Sequence, residues 1–204
     1  MTKEEPRVDN EHPQEGQKRL TWSDWLFLRR PPAFLDPIRR LFESPKKLIQ
    51  PYVKDGQVVA DLGCGPGFYT LALAEIVGPR GKVYAVDLGK GCIRTLEKRS
   101  MKGGYRNIEA HASSAADVGF IKDRSVDFVL ANGLLCSMAE RREEAVNEIK
   151  RILKGEGQAL ISLGAGPPLG YVDQEEWQNI LEGFKVEEGG SYKEKWALVS
   201  VKRE

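Results

Sequence analysis

Residues 61–70 read DLGCGPGFYT: a carboxylate, three glycines at alternate positions, then the start of an apolar run. Glycines so placed allow a tight turn and let a ligand approach the backbone closely. The run before them has the composition of a buried strand and the run after them has helical length. Gly63, Gly65 and Gly67 therefore fall at a strand-to-helix crevice, where open α/β sheets bind ligands. About twenty residues on, the run KVYAVDL carries Asp87, whose two oxygens match the two hydroxyl donors of a ribose without a 2′-phosphate. That pairing points to an adenosine, although the same carboxylate could cap the helix that follows.

The spacing narrows the nucleotide further. A dinucleotide fingerprint runs G-x-G-x-x-G, whereas Phe68 here holds the place of the last glycine and the pattern is D-x-G-x-G-x-G, led by Asp61. No Gly-Lys-Ser/Thr follows, so a phosphate-binding loop of that kind is also a poor fit.

Other residues could do chemistry nearby. Asn132 ends the run VDFVLAN and is expected to face the same crevice, or simply to satisfy backbone groups at a strand end. His111, one of two histidines, could act as a base, but it ends a strand with no partner evident in the sequence, and an ordinary hydrogen-bonded strand residue is the alternative. Tyr171, with Trp22, Trp25, Phe34 and Trp177, could line a pocket for an apolar or planar acceptor, or pack as aromatics ordinarily do. Cys64 fits the glycine loop as a small residue, and Cys92 and Cys136 read as small buried side chains. Three cysteines without a CxxC or Cys/His cluster suggest neither a disulfide framework nor a metal site.

The elements that must position these groups follow from the patterning. From Gln57 onward, apolar runs alternate with helix-length amphipathic stretches, as strands of a parallel sheet alternate with helices. QVVADL, KVYAVDL, RNIEAH, VDFVLAN and GQALISL read as strands; FYTLALAEIVG, CIRTLEKRSM and ERREEAVNEIKRIL read as helices. Leu71, Ala74 and Val77 share one helical face, as do Ala145, Ile149 and Ile152, and both faces should pack on the sheet. After helix-like DQEEWQNILEG, the runs FKVEEG and YKEKWALVSVK are close enough to pair as a hairpin, so the parallel sheet should finish in an antiparallel pair.

Residues 1–19 offer few apolar groups and read as a disordered tail, 20–50 as a helical cap broken by Pro31, Pro32, Pro37 and Pro45, and 51–204 as the main domain. Net charge is +1, which leaves no bulk electrostatic footprint for nucleic acid or an anionic membrane. Locally, Lys18–Lys47 carries eight Lys/Arg against three Asp/Glu, either a solvated helical face or a site for an acidic substrate or RNA phosphate. The polar amino terminus lacks the apolar core of a signal peptide and no stretch is long enough to span a bilayer, so the expected location is the cytoplasm.

With Asp61 leading it, the glycine pattern resembles the first motif of class I S-adenosylmethionine-dependent methyltransferases. The resemblance runs from Pro51 to Val201 and rests on DLGCGPGFYT, VYAVDL, VDFVLAN and LKGEGQALISL in that order. It implies a doubly wound, Rossmann-like seven-stranded sheet, mostly parallel with the last strand antiparallel. It also implies that Asp61, Gly63, Gly65 and Gly67 surround the methionine part of S-adenosylmethionine, with Asp87 on the ribose and Leu88 near the adenine; Asn132, expected to face the same crevice, is counted with these cofactor-binding residues. Ser114 and Ala115 match the place where many relatives carry an Asp-Ala pair beside the adenine amino group; Ser114 departs from that pattern by offering a hydroxyl. The segment PIRRLFESPKKLIQPYVKDGQVVADLGCGPGF is similar more narrowly to type 11 methyltransferases of the quinone-biosynthesis kind.

Nucleobase amino-methyltransferases commonly carry N/D-P-P-Y/F where this chain reads Asn132-Gly133-Leu134-Leu135, which argues against base-amino methylation. Arsenite methyltransferases resemble the core but depend on several thiols, and only Cys136 lies near the relevant loop. The reading is transfer of a methyl group to a small molecule. RNA or protein methylation guided by the basic amino-terminal segment, and a non-catalytic protein that binds S-adenosylmethionine, are the alternatives.

Overall fold

The computed structural model describes residues 45–163, 172–190 and 195–202. The tail 1–19, most of the 20–50 segment and the glycine- and proline-rich stretch 164–171, with Tyr171, lie outside the described residues. Pro45 opens α1 (Pro45–Ile49). A first-turn position suits proline, because its φ is preset and its missing N–H would have had no intrahelical acceptor.

The expected alternation follows: β1 (Val58–Leu62), α2 (Thr70–Val77), β2 (Lys82–Val86), α3 (Lys90–Gly103), β3 (Ile108–His111), β4 (Val126–Asn132), α4 (Arg142–Ile152), β5 (Leu153–Ser162), α5 (Gln174–Leu181), β6 (Phe184–Gly190) and β7 (Trp196–Val201). These strands make one seven-stranded sheet in the order β3-β2-β1-β4-β5-β7-β6. β1 to β5 pair in parallel, and β7 is antiparallel to both β5 and β6. The sheet is thus mostly parallel with a reversed last strand, and its last two runs form the expected antiparallel pair. Strand order turns back between β1 and β4, so a crevice opens above the carboxyl ends of those two strands.

Period-two alternation divides the core. Phe128 and Leu130 of β4 enter a layer with Leu73, Ala74 and Val77 of α2. Val129 and Ala131 point the other way, into a layer with Ala145, Ile149 and Ile152 of α4 and Trp177 and Ile180 of α5; Val126 joins that layer too, because the register shifts between it and Phe128. Ile93 and Leu96 of α3 pack with Ala85 and Cys64. Both helical faces read from the sequence do pack on the sheet, although Leu71 is only partly covered. Each fully buried Leu or Ile contributes about 1.5–3 kcal/mol, so the two layers dominate the stability of the domain.

Two details differ from expectation. β5 begins at Leu153 rather than Gly157, because α4 passes directly into extended backbone there and Leu153 pairs with Val126 before the register shifts. Cys92 and Cys136 are half-buried, at the margins of the core layers, whereas Cys64 is buried; none of the three forms a disulfide.

The β3–β4 connection, residues 112–125, contains no helix and is held against α4 by side chains. Arg151 donates to the carbonyls of Val118 at 3.1 Å and Ile121 at 2.8 Å, and pairs with Glu148 and Asp123. Glu148 in turn accepts from the Val118 amide at 3.0 Å.

Candidate active site

After β1 the chain turns sharply. Gly63, Gly65 and Gly67 have φ of 79°, 53° and 90°, conformations that L side chains rarely adopt. The amides of Gly63 and Cys64 donate to the Val86 carbonyl at 2.7 and 3.0 Å, which stitches the turn to the end of β2. A Cβ on Gly67 would collide with Leu96 of α3, whereas nothing occupies the space a Cβ on Gly65 would take. Gly67 serves the packing of loop on helix; Gly65 leaves the backbone open to a ligand.

Asp61 is 3% exposed and its Oδ2 accepts from Thr70 Oγ1 at 2.6 Å. Thr70 begins α2, so the carboxylate lies at the positive end of that helix. Asp87 accepts from the Gly65 amide through Oδ2 and from the Gly89 amide through Oδ1, both at 2.8 Å. It does not cap the interior amides of α3; it ties the glycine loop to the turn that starts that helix. These bonds fix the orientation of a carboxylate that has roughly four acceptor sites in all. Leu88, next in the chain, is 70% exposed beyond the end of β2.

Ser114 and Ala115 are buried in the turn after β3. Ser114 Oγ accepts from the Ala116 amide at 3.2 Å, and its carbonyl accepts from Asp117 at 3.0 Å. Across the crevice, Asn132 is 6% exposed and its Oδ1 accepts from Ser162 Oγ at 2.6 Å. Asp61 pairs with Leu130, so Asn132 stands one step higher on the same face, level with the start of the glycine loop.

His111 is placed elsewhere. Its register partner is Val86, whose side chain enters the α4–α5 layer, so His111 and Asn132 lie on opposite faces of the sheet. His111 Nε2 lies 2.7 Å from Glu109 Oε1, and its ring stacks on Phe120 with centroids 3.8 Å apart. The Lys82 ammonium, 2.6 Å from Glu109, is the main cause that holds the Glu109 carboxyl below its ordinary range, with His111 a lesser one.

The structure therefore gathers Asp61, Gly63, Gly65, Gly67, Asp87, Leu88 and Asn132 at the carboxyl ends of β1, β2 and β4, with Ser114 and Ala115 after β3. Sequence reasoning missed Thr70, Arg99 and Ser162. Arg99 Nη1 donates to the Pro66 carbonyl at 2.9 Å and supports the loop from α3. Among the described residues, no group of three or more His, Cys, Asp or Glu side chains is placed to hold a metal. A concavity of about 730 Å³ lies at the opposite end of β2 and β3. There Asn107 Nδ2 donates to the carbonyls of Ala74 and Gly78, both at 2.8 Å.

The crevice thus presents an open glycine backbone at Gly65, a carboxylate held by two amides at Asp87, and an exposed leucine at Leu88, a set of groups that could hold an adenosyl cofactor. A family model described as a methyltransferase domain matches residues 53–196. The chain belongs to the methyltransferase-domain family. Its architecture is that of the class I enzymes, for which S-adenosylmethionine is the cofactor. Demethylmenaquinone methyltransferase of Bacillus velezensis is 32% identical over 108 residues, 53% of this chain and 46% of the relative. Aklanonic acid methyltransferase DauC of Streptomyces sp. is 36% identical over 77 residues, 38% of this chain and 34% of the relative. The chain thus spans about half or less of the length of these curated relatives. A solved S-adenosylmethionine-dependent methyltransferase from Aquifex aeolicus is similar with a TM-score of 0.65 and 26% identity, over 83% of this chain and 94% of that one.

Proposed function

We propose that this methyltransferase-domain chain transfers a methyl group from S-adenosylmethionine to a small-molecule acceptor in the cytoplasm. The observation that carries the reading is Asp87, fixed by the Gly65 and Gly89 amides at the end of β2, above an open glycine loop. In this reading Asp87 takes the ribose hydroxyls, Leu88 packs on the adenine, Ser114 and Ala115 border its edge, and Asp61 with the loop glycines surrounds the methionine arm.

When bound, S-adenosylmethionine supplies a methyl group already activated on a sulfonium. The chain's own task is then placement. Thr70 holds the Asp61 carboxylate still, Arg99 and the Val86 carbonyl hold the loop, and the ends of β4 and β5 face the place where the acceptor must come. Orientation of this kind is worth roughly 7–11 kcal/mol of barrier in favourable cases. The small-molecule acceptor is supported by relatives named for demethylmenaquinone and aklanonic acid.

Isothermal titration with S-adenosylhomocysteine tests the cofactor site. One site is expected, weakened at least about tenfold in Asp87→Ala, which corresponds to about 1.4 kcal/mol. Absence of binding to folded wild-type protein would overturn the reading.

A further inference from the structure

The end of the sheet away from the cofactor crevice carries a cleft of about 630 Å³, within the range of small-ligand sites. Its lining includes Asp123 and Arg124 from the turn before β4, Lys150 and Arg151 from the last turn of α4, Gly155 of β5 and Lys202 after β7. The seven residues of β4, about 20 Å of strand, separate it from Asn132 at the crevice. Four of these side chains are cationic and one is acidic, and Asp123 already pairs with Arg151. The cleft therefore keeps an excess of positive charge.

The backbone around the cleft favours an anion there. Among the described residues, Arg124 alone has a positive φ, 50°, without being glycine. Glycine would adopt that conformation without strain, yet the turn places a guanidinium in the lining of the cleft. The carbonyl end of α4, which would repel an anion, is occupied by main-chain donors. Ile149 O accepts from Leu153, and the Arg151 and Ile152 carbonyls accept from Arg124 and Ser125, both at 2.9 Å. Gly155 leaves the β5 backbone open, with nothing within 4 Å of the place its Cβ would take. Arg151 is engaged by Glu148, Asp123 and two carbonyls, so it forms a fixed wall. Lys150 stands with its ammonium 5.1 Å from the Phe184 ring centroid, while Arg124 and Lys202 are exposed. Two linked phosphates match this excess of charge and fill more of the volume than one phosphate does. We infer that the cleft binds a diphosphate group, free or esterified, with Arg124, Lys150 and Lys202 donating to its oxygens.

Isothermal titration of the full chain at low salt, without divalent metal, tests this with inorganic pyrophosphate, orthophosphate and uridine diphosphate, each with and without S-adenosylhomocysteine. One pyrophosphate site is expected, at least about tenfold tighter than orthophosphate and unchanged by S-adenosylhomocysteine. Raising the salt to physiological strength should weaken it several-fold. Arg124→Gly, which suits the positive φ and should not lower the melting temperature, should weaken pyrophosphate at least about fivefold. Lys150→Met, which keeps an unbranched stem against Phe184, should do the same. Lys102→Gln removes an exposed cation of α3 outside the cleft and should change the affinity less than about twofold. Uridine diphosphate bound as well as pyrophosphate identifies an esterified ligand, and pyrophosphate bound without it identifies the free ion; either supports the site. Absence of pyrophosphate binding, equal losses in Lys102→Gln and Arg124→Gly, or displacement of pyrophosphate by S-adenosylhomocysteine overturns the inference.

Discussion

At Gly67 and Gly65 the same substitution should do two different things. Gly67→Ala combines a φ of 90° with a methyl driven into Leu96, so it should destabilise the domain by about 2–5 kcal/mol, seen as a lower urea midpoint. Gly65→Ala strains the backbone at φ 53° but meets open space. Its stability loss should be smaller, about 1–2 kcal/mol, while S-adenosylhomocysteine affinity falls at least about tenfold because the methyl takes the ligand's approach. Equal effects of the two variants on stability and affinity would contradict these assignments. The glycines and Asp87 were legible in the sequence because their meaning lies in local spacing. Thr70 beneath Asp61, Arg99 beneath Pro66 and Ser162 beside Asn132 were not, since each depends on register or packing between distant segments.

Among the elements, the helix-free connection 112–125 depends on α4 for its shape, and with it the position of Ser114 and Ala115. Arg151, bonded to Glu148 and to two carbonyls of the connection, is the fastener. Arg151→Ala should therefore cost about 1–3 kcal/mol and weaken cofactor binding indirectly. Glu148 is held below its ordinary value of 4.5, chiefly by its bonds to Arg151 and further by the Val118 amide. Its contribution is complete above that ordinary value and fades as pH falls through its lowered folded-state pKa. Melting temperatures should accordingly show Glu148→Gln below wild type at neutral pH and converging with it in acid; a gap that widens in acid would refute the assignment. β4 was legible residue for residue, because apolar alternation and the turn at Gly133 bound it on both sides. The start of β5 was not, because Leu153 leaves α4 without any turn residue and its strand pairing with Val126 is non-local.

For the molecule as a whole, alternation of strands and helices fixes the two-layer α/β architecture, and the resemblance implied a reversed last strand, but neither revealed that β7 enters between β5 and β6, an order set by non-local pairing. Charge is the remaining whole-molecule property with functional weight. The chain carries +1, and many of its described cations are already opposite carboxylates: Lys46 with Glu75, Arg80 with Asp55, Lys82 with Glu109, Arg142 with Glu176, Lys154 with Asp127. Apart from Arg142, which is buried, these pairs are exposed or half-exposed and add only about 0–1 kcal/mol each to stability, yet all of them weaken the field a polyanion would feel. The competing feature is Lys18–Lys47, with eight basic residues against three acidic ones. If the small-molecule reading holds, fluorescence anisotropy with a labelled single-stranded RNA at physiological salt should give a Kd weaker than about 0.1 mM. Should the basic segment instead guide an RNA substrate, its excess charge would release about five counterions, and log K would fall against log salt with a slope near about −3.5. A tight complex with that slope would move the acceptor from a small molecule to RNA, whereas weak binding without it leaves the crevice above β4 and β5 as the place where the acceptor is chosen.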